Sequence, residues 1–189
     1  QAFVAAYQTV SGLNLGELWA VPIMLQLGLI ENLRRITSRL VIARRDRDLA
    51  DAWANRLQVI AEKNPSDLIV GVADMAKSRV PLSSSFVAEF SQRLSRHGPV
   101  LHLARSWLEQ RLVEQGQSIE QLVHAENQSQ AVDQVSVSHS ITSLRGCKAR
   151  EAKDMVEILS LVEQVLRTDP AKVYVAMDFS TRDRYRHAV

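Results

Sequence analysis

Between Met177 and His187 the chain reads Met-Asp-Phe-Ser-Thr-Arg-Asp-Arg-Tyr-Arg-His, with five charged side chains, two aromatics and a histidine in eleven residues. A helix that needs only a solvated face does not require that density. Tyr185 lies among Arg182, Arg184 and Arg186, whose guanidinium groups would favour a phenolate or an anionic ligand. The plainer reading is a tyrosine tucked against neighbouring helices with its hydroxyl at the surface.

The other candidate groups are less well placed for chemistry. Asp46-Arg47-Asp48 has the Asp-x-Asp spacing of a divalent-metal clamp, which needs oxygens converging from a loop at a strand end. Here it sits in an Arg-rich helical stretch, so ion pairs along a solvated helix are expected instead. Glu17 and Glu31 are fourteen residues apart, about 21 Å along a helix, whereas paired glycosidase carboxylates stand roughly 5–9.5 Å apart. The five histidines, His97, His102, His124, His139 and His187, are scattered, and a metal site needs several ligands to converge. Arg34, Arg35, Arg39, Arg44, Arg45 and Arg47 form a basic stripe with no aromatic residues between them to stack bases. Trp19, Trp53 and Trp107 could line a sugar-stacking groove, but their place among leucines predicts core packing. There is no Gly-rich phosphate loop, His-Glu-x-x-His or Gly-x-Ser-x-Gly.

The elements that must position these groups read as helices. Asn14 followed by Glu17 has the spacing of a capping box. From there Ile23, Leu27, Ile30, Leu33, Leu40, Leu49, Trp53, Leu57 and Ile60 recur near a period of 3.6. This predicts a helix to about residue 62, kinked at Pro22, and either continuous or broken near Arg44–Asp48. The apolar run Leu18–Ile30 is too short for a membrane span of roughly 20 residues and is expected to be a buried core helix.

Asn64-Pro65-Ser66 makes a turn and a new cap for a short helix to about Ser78. Another starts near Pro81 and Ser83–Ser85 and ends at Gly98-Pro99. The next covers Val100 to Gln115, with Gly116 just past its end. Ser118 and Gln121 form a second capping box. Val135–Ser138 alternates like a strand, and a helix cap at Ser140 is the alternative. Met155, Ile158, Leu159, Val162, Val165 and Leu166 predict one amphipathic helix over Arg150–Arg167. Asp169-Pro170 ends it, and Ser180 with Asp183 opens the last helix. The expected fold is all-α, an irregular bundle of about eight helices in a single domain over residues 1–189.

Composition agrees with helices. The chain of 189 residues is 46% hydrophobic, with seven glycines, five prolines and a net charge of +2. Such a chain can build a sizeable core. A lone cysteine, Cys147, excludes an internal disulfide framework and a cysteine zinc cluster. The chain opens on Gln1 and stops at Val189 inside a helical phrase, which suggests a soluble piece of a longer polypeptide.

Four blocks, in order, carry a resemblance. They are Gly16-Glu17-Leu18-Trp19-Ala20-Val21-Pro22 through Arg35, Ser140-Ile141-Thr142-Ser143-Leu144-Arg145, Val162 through Pro170, and Met177 through His187. Together they resemble the helical region of bacterial cyclic β-1,2-glucan synthases, with residues 60–135 matching only loosely. Two places depart from the family. It has an Asp-Trp pair after the Ser-Ile-Thr-Ser-Leu-Arg block, where this chain reads Gly146-Cys147-Lys148-Ala149-Arg150. It also favours glycine after Asp-Pro-Ala, where this chain has Lys172.

The resemblance implies a parent that is a very large inner-membrane glycosyltransferase, using UDP-glucose and a divalent metal to build glucan on protein and then cyclise it. This chain would be a helical scaffold at the cytoplasmic face of the membrane, with no catalytic residues and no cofactor of its own. Its expected partners are the remaining domains of the same polypeptide and membrane headgroups. Arg182, Asp183, Arg184 and Arg186 would be its exposed docking charges. A second possibility, also from the resemblance, is a priming segment with Tyr185 or Tyr174 as the glucosylated acceptor. A third is an unrelated helical nucleic-acid-binding or regulatory module.

Overall fold

The computed structural model describes residues 2–96, 98–146 and 149–188. Among them there are ten α-helices and no strand: α1 (Ala2–Gln8), α2 (Leu15–Lys63), α3 (Leu68–Lys77), α4 (Ser84–Arg96), α5 (His102–Glu114), α6 (Ile119–Gly146), α7 (Ala149–Leu159), α8 (Leu161–Leu166), α9 (Val173–Ala176) and α10 (Phe179–Ala188). The expected all-α class is what forms. No helix among the described residues is long and apolar enough to cross a membrane.

The chain divides into two compact units, one of residues 1–33 and 138–189 and one of residues 34–137. In the second, α2 contributes Trp53 and Leu57, α3 Val72 and Met75, α4 Phe86, Phe90 and Leu94, and α5 Leu108 and Leu112 to one core. Phe86 and Phe90 stack with ring centroids 5.4 Å apart. A methyl on Gly71 would stand 2.9 Å from Ile60 Cδ1 and 3.0 Å from Leu57 Cδ2, so α3 lies close on α2. In the first unit Leu18, Met155, Val156 and Leu159 form a smaller core, edged by Val4, Leu13, Leu15, Trp19 and Val21.

Local chemistry explains the helix boundaries. The backbone N–H of Glu17 donates to Asn14 Oδ1, and that of Asn14 to Glu17 Oε2, each at 2.8 Å. This reciprocal pair satisfies two donors at the start of α2. Ser118 and Gln121 do the same for α6, at 3.0 and 3.2 Å. Gly116 has φ +69°. Its N–H bonds Val113 O while Gln117 N–H bonds Leu112 O, both at 2.9 Å, which closes α5 in a Schellman motif.

Several expectations change. α2 runs unbroken through Arg44–Asp48 and keeps Pro22 inside it. Neither a strand at Val135–Ser138 nor a cap at Ser140 forms, because α6 continues through both. Ser140 is buried within that helix and accepts a hydrogen bond from Asn32 Nδ2 at 3.0 Å. The amphipathic helix splits at Ser160, which is extended (φ −69°, ψ 120°) and accepts the N–H of Glu163 at 3.2 Å. The break rotates the face presented to the core, so Val165 is exposed and Glu163 is buried. The last helix is capped by Asp178 rather than Ser180, since Asp178 Oδ1 accepts the Thr181 N–H at 2.7 Å.

The apolar run of α2 is core only at its start, where Leu18 is buried with Trp19 and Val21 packed alongside, and not the buried core helix expected throughout. Ile23, Met24, Leu25, Leu27 and Ile30 are each more than half exposed.

Candidate functional site

The charged phrase of α10 meets its partners inside the first unit. Asp169 turns the chain after α8, its carboxylate accepting the N–H groups of Ala171, Val173 and Tyr174 at 3.0, 3.1 and 3.3 Å. These backbone hydrogen bonds hold its pKa below the ordinary value. Lys172 takes a left-handed conformation (φ 55°) to complete the turn into α9. That turn places the Tyr174 ring over α8, where its hydroxyl donates to Glu163 Oε2 at 2.6 Å.

Glu163 is the centre of the cluster, with its side chain fully enclosed. Besides Tyr174, it accepts hydrogen bonds from Arg186 Nη1 and Arg167 Nε, both at 2.7 Å. Arg186 Nη2 also reaches Asp183 Oδ1 at 3.0 Å, and the guanidinium lies 4.9 Å above the Phe179 ring. Arg182 pairs with Glu157, and Glu157 also lies 3.9 Å from both Arg167 and Arg186.

The electrostatics follow from this geometry. Burial by itself would raise the Glu163 pKa, but hydrogen bonds from Tyr174, Arg167 and Arg186 outweigh it and hold it below the usual range. Burial and the bond to Glu163 push Tyr174 up to about 12, so its phenol stays protonated. Burial works against the Arg186 cation, yet Glu163 and Asp183 outweigh it and raise its pKa. A buried charge is tolerated only when it is paired and hydrogen-bonded in this way.

The expected docking charges therefore separate. Arg186 is 2% exposed and points inward, which corrects its placement on an exposed surface. Arg182 and Asp183 are partly covered, because each is drawn toward a partner within the unit. Arg184 remains exposed. Tyr174 is buried, whereas Tyr185 is half-exposed and packs edge-on against it with centroids 6.4 Å apart. Glu163 and Glu157 did not emerge from sequence reasoning. The signal available was Ser160-x-x-Glu163, the spacing of a helix start.

Elsewhere, Arg39 and Asp133 pair, Arg44 and Asp48 stand 3.5 Å apart, and Arg47 and Glu126 3.1 Å, so much of the basic stripe is spent on carboxylates. Asp46 accepts Ser83 Oγ rather than joining Asp48 in a clamp. Trp53 is buried, and Trp19 packs edge-on against Phe179 at 6.3 Å. No group of three His, Cys, Asp or Glu could hold a metal among the described residues. His97 and Cys147 lie outside those residues.

Fold and site together define an all-α segment whose first unit holds a buried ion-pair cluster. Over 188 residues, 100% of its length, the chain is 29% identical to the cyclic beta-(1,2)-glucan synthase NdvB of Rhizobium meliloti, of which it spans 6%. The family resemblance read from the four blocks thus extends over the whole chain. No family model and no solved structure matches it.

Proposed function

We propose that this chain is a helical docking segment of a longer polypeptide of the cyclic β-1,2-glucan synthase kind, lying at the cytoplasmic face of the bacterial inner membrane. It performs no chemistry itself. UDP-glucose, a divalent metal and the transferase reaction belong to the remainder of the polypeptide, against which this segment packs.

One observation carries this reading: the uncovered apolar surface of α2. Ile23, Leu27 and Ile30 are each more than half exposed and recur at i, i+4 and i+7, so they lie along one stripe. Met24 flanks that stripe. Full burial of such a side chain is worth about 1.5–3 kcal/mol, so covering the exposed half of each contributes about 1 kcal/mol. Contiguous apolar patches of this kind mark interaction sites. The NdvB match, covering 6% of that protein, supports a large partner in the same chain.

The test is Leu27→Asp with Ile30→Asp, made both in this chain and in the longer polypeptide. In this chain helicity stays as in the parent sequence and melting falls modestly, because about half of each side chain is already exposed. In the longer polypeptide the pair disrupts assembly and lowers glucan output. Unchanged assembly and output would overturn the proposal.

The acceptor reading now rests on Tyr185 alone. The Tyr174 hydroxyl is donated to Glu163 inside the cluster, while Tyr185 is half-exposed. Peptide mass spectrometry of the longer polypeptide after exposure to UDP-glucose tests it: hexose on the Tyr185 peptide supports the role, and hexose only elsewhere ends it.

A further inference from the structure

The second unit carries a groove of about 1000 Å³, walled by α2, α4 and α6, that none of the functions above uses. Its charges cancel: Arg39, Arg47 and Arg105 face Glu89, Glu126 and Asp133. Most are already committed, Arg39 to Asp133, Arg47 to Glu126 at 3.1 Å, and Arg105 to Glu109 at 2.9 Å. Glu126 is buried and also accepts Ser84 Oγ at 2.8 Å and Gln130 Nε2 at 2.9 Å. An anionic ligand would meet fixed carboxylates, and a cationic one fixed arginines.

The amides are not committed in this way. Gln92, Asn127 and Gln134 line the groove, and their side chains make no hydrogen bond among the described residues. Gln130 spends one N–H on Glu126 and keeps its carbonyl oxygen. Each carboxamide offers two donors and an acceptor oxygen side by side. Asn127, Gln130 and Gln134 follow one another along one face of α6, and seven residues of helix span about 10.5 Å, longer than one hexose ring. Leu40, Ala43, Val123 and Val137 supply aliphatic surface in the same groove.

From a row of uncommitted amides beside an aliphatic surface, with balanced charge, we infer that this groove binds a neutral polyhydroxylated ligand, a short oligosaccharide. Neighbouring hydroxyls pair with the amides, and the C–H faces of the sugar rings lie on the aliphatic surface. A peptide strand is disfavoured, because it would need unpaired backbone groups to bond with and helix walls offer none. No aromatic side chain lines the groove among the described residues, so the affinity is weak, on the order of millimolar. This inference rests on the proposed function only in the linkage chosen for the probe.

The test is a 1H–15N NMR titration of the 189-residue chain with a β-1,2-linked gluco-oligosaccharide to about ten times the expected dissociation constant. Cello-oligosaccharide, sorbitol and UDP serve as comparisons. Saturable shifts confined to residues 39–47, 85–95, 105 and 119–137 are expected with the oligosaccharides and not with sorbitol or UDP. The triple variant Gln92→Ala, Asn127→Ala, Gln134→Ala, which removes only side chains without intramolecular bonds, should bind at least about tenfold more weakly. No saturable shift, equal shifts with sorbitol, or undiminished binding by the triple variant would overturn the inference. So would a groove already protected from exchange in the longer polypeptide without sugar, which would assign it to a protein contact. Binding by this chain while Leu27→Asp leaves the longer polypeptide unaffected would separate the groove from the docking reading.

Discussion

Replacing Glu163 by glutamine keeps the shape of the side chain and removes its charge. The carboxylate is fully enclosed and receives Tyr174, Arg186 and Arg167 within 2.6–2.7 Å. With glutamine, Arg186 remains buried and keeps Asp183 at 3.0 Å, with Glu157 at 3.9 Å and already paired with Arg182. Removing one partner of a buried pair costs about 3–5 kcal/mol, because the other charge is left uncompensated. The first unit comprises residues 1–33 and 138–189, and for a unit of that size 1 kcal/mol moves Tm by about 4–8 °C. Glu163→Gln should therefore lower the melting temperature of that unit by at least about 12 °C, read by calorimetry or by near-ultraviolet circular dichroism.

The pH profile carries the same information. The folded-state pKa of Glu163 lies below its ordinary 4.5. Its stabilisation is thus present above pH 4.5 and is lost as pH falls through the folded value. The variant should lack that part of the acid limb. A fall of less than about 4 °C with an unchanged acid limb would refute the reasoning, by showing the cluster is not what holds α10 in place.

Three further outcomes follow from particular residues. Tyr174 has its pKa raised from 10.0 to about 12, so its contribution is full below pH 10 and lost as pH rises toward 12. Tyr174→Phe should remove a late tyrosinate step from an ultraviolet titration and flatten stability between those values. Lys172 sits at φ 55°, a conformation that costs a side-chain-bearing residue about 1–2 kcal/mol, so Lys172→Gly should stabilise by up to about 1 kcal/mol in urea unfolding. Gly116, at φ +69° in the Schellman turn, should show the opposite sign, with Gly116→Ala losing about 1 kcal/mol.

Much of the fold was legible in the sequence because its signals are local. Asn14 with Glu17, Ser118 with Gln121, and Gly116 mark helix ends through bonds spanning three to five residues. What could not be read depends on distant partners. Hydrophobic periodicity runs through Ser160 without a gap, so the break that turns Glu163 inward leaves no trace in the pattern of apolar residues. Arg186 reads as a surface charge because Glu163, its partner, lies 23 residues away in sequence. Periodicity marks the apolar run of α2 and does not say whether the core of its own unit buries it or leaves it exposed.

Met24 provides the most direct measurement of the central claim. It is 65% exposed on α2, whereas Met75 and Met155 are buried at 0% and 8% and serve as internal references. Exposed methionine oxidises to the sulfoxide while buried methionine is protected. Peptide mass spectrometry after dilute peroxide would compare this chain with the longer polypeptide. If α2 docks as proposed, Met24 oxidises much faster than Met75 here and becomes protected in the longer polypeptide. Equal Met24 oxidation in both would contradict the account.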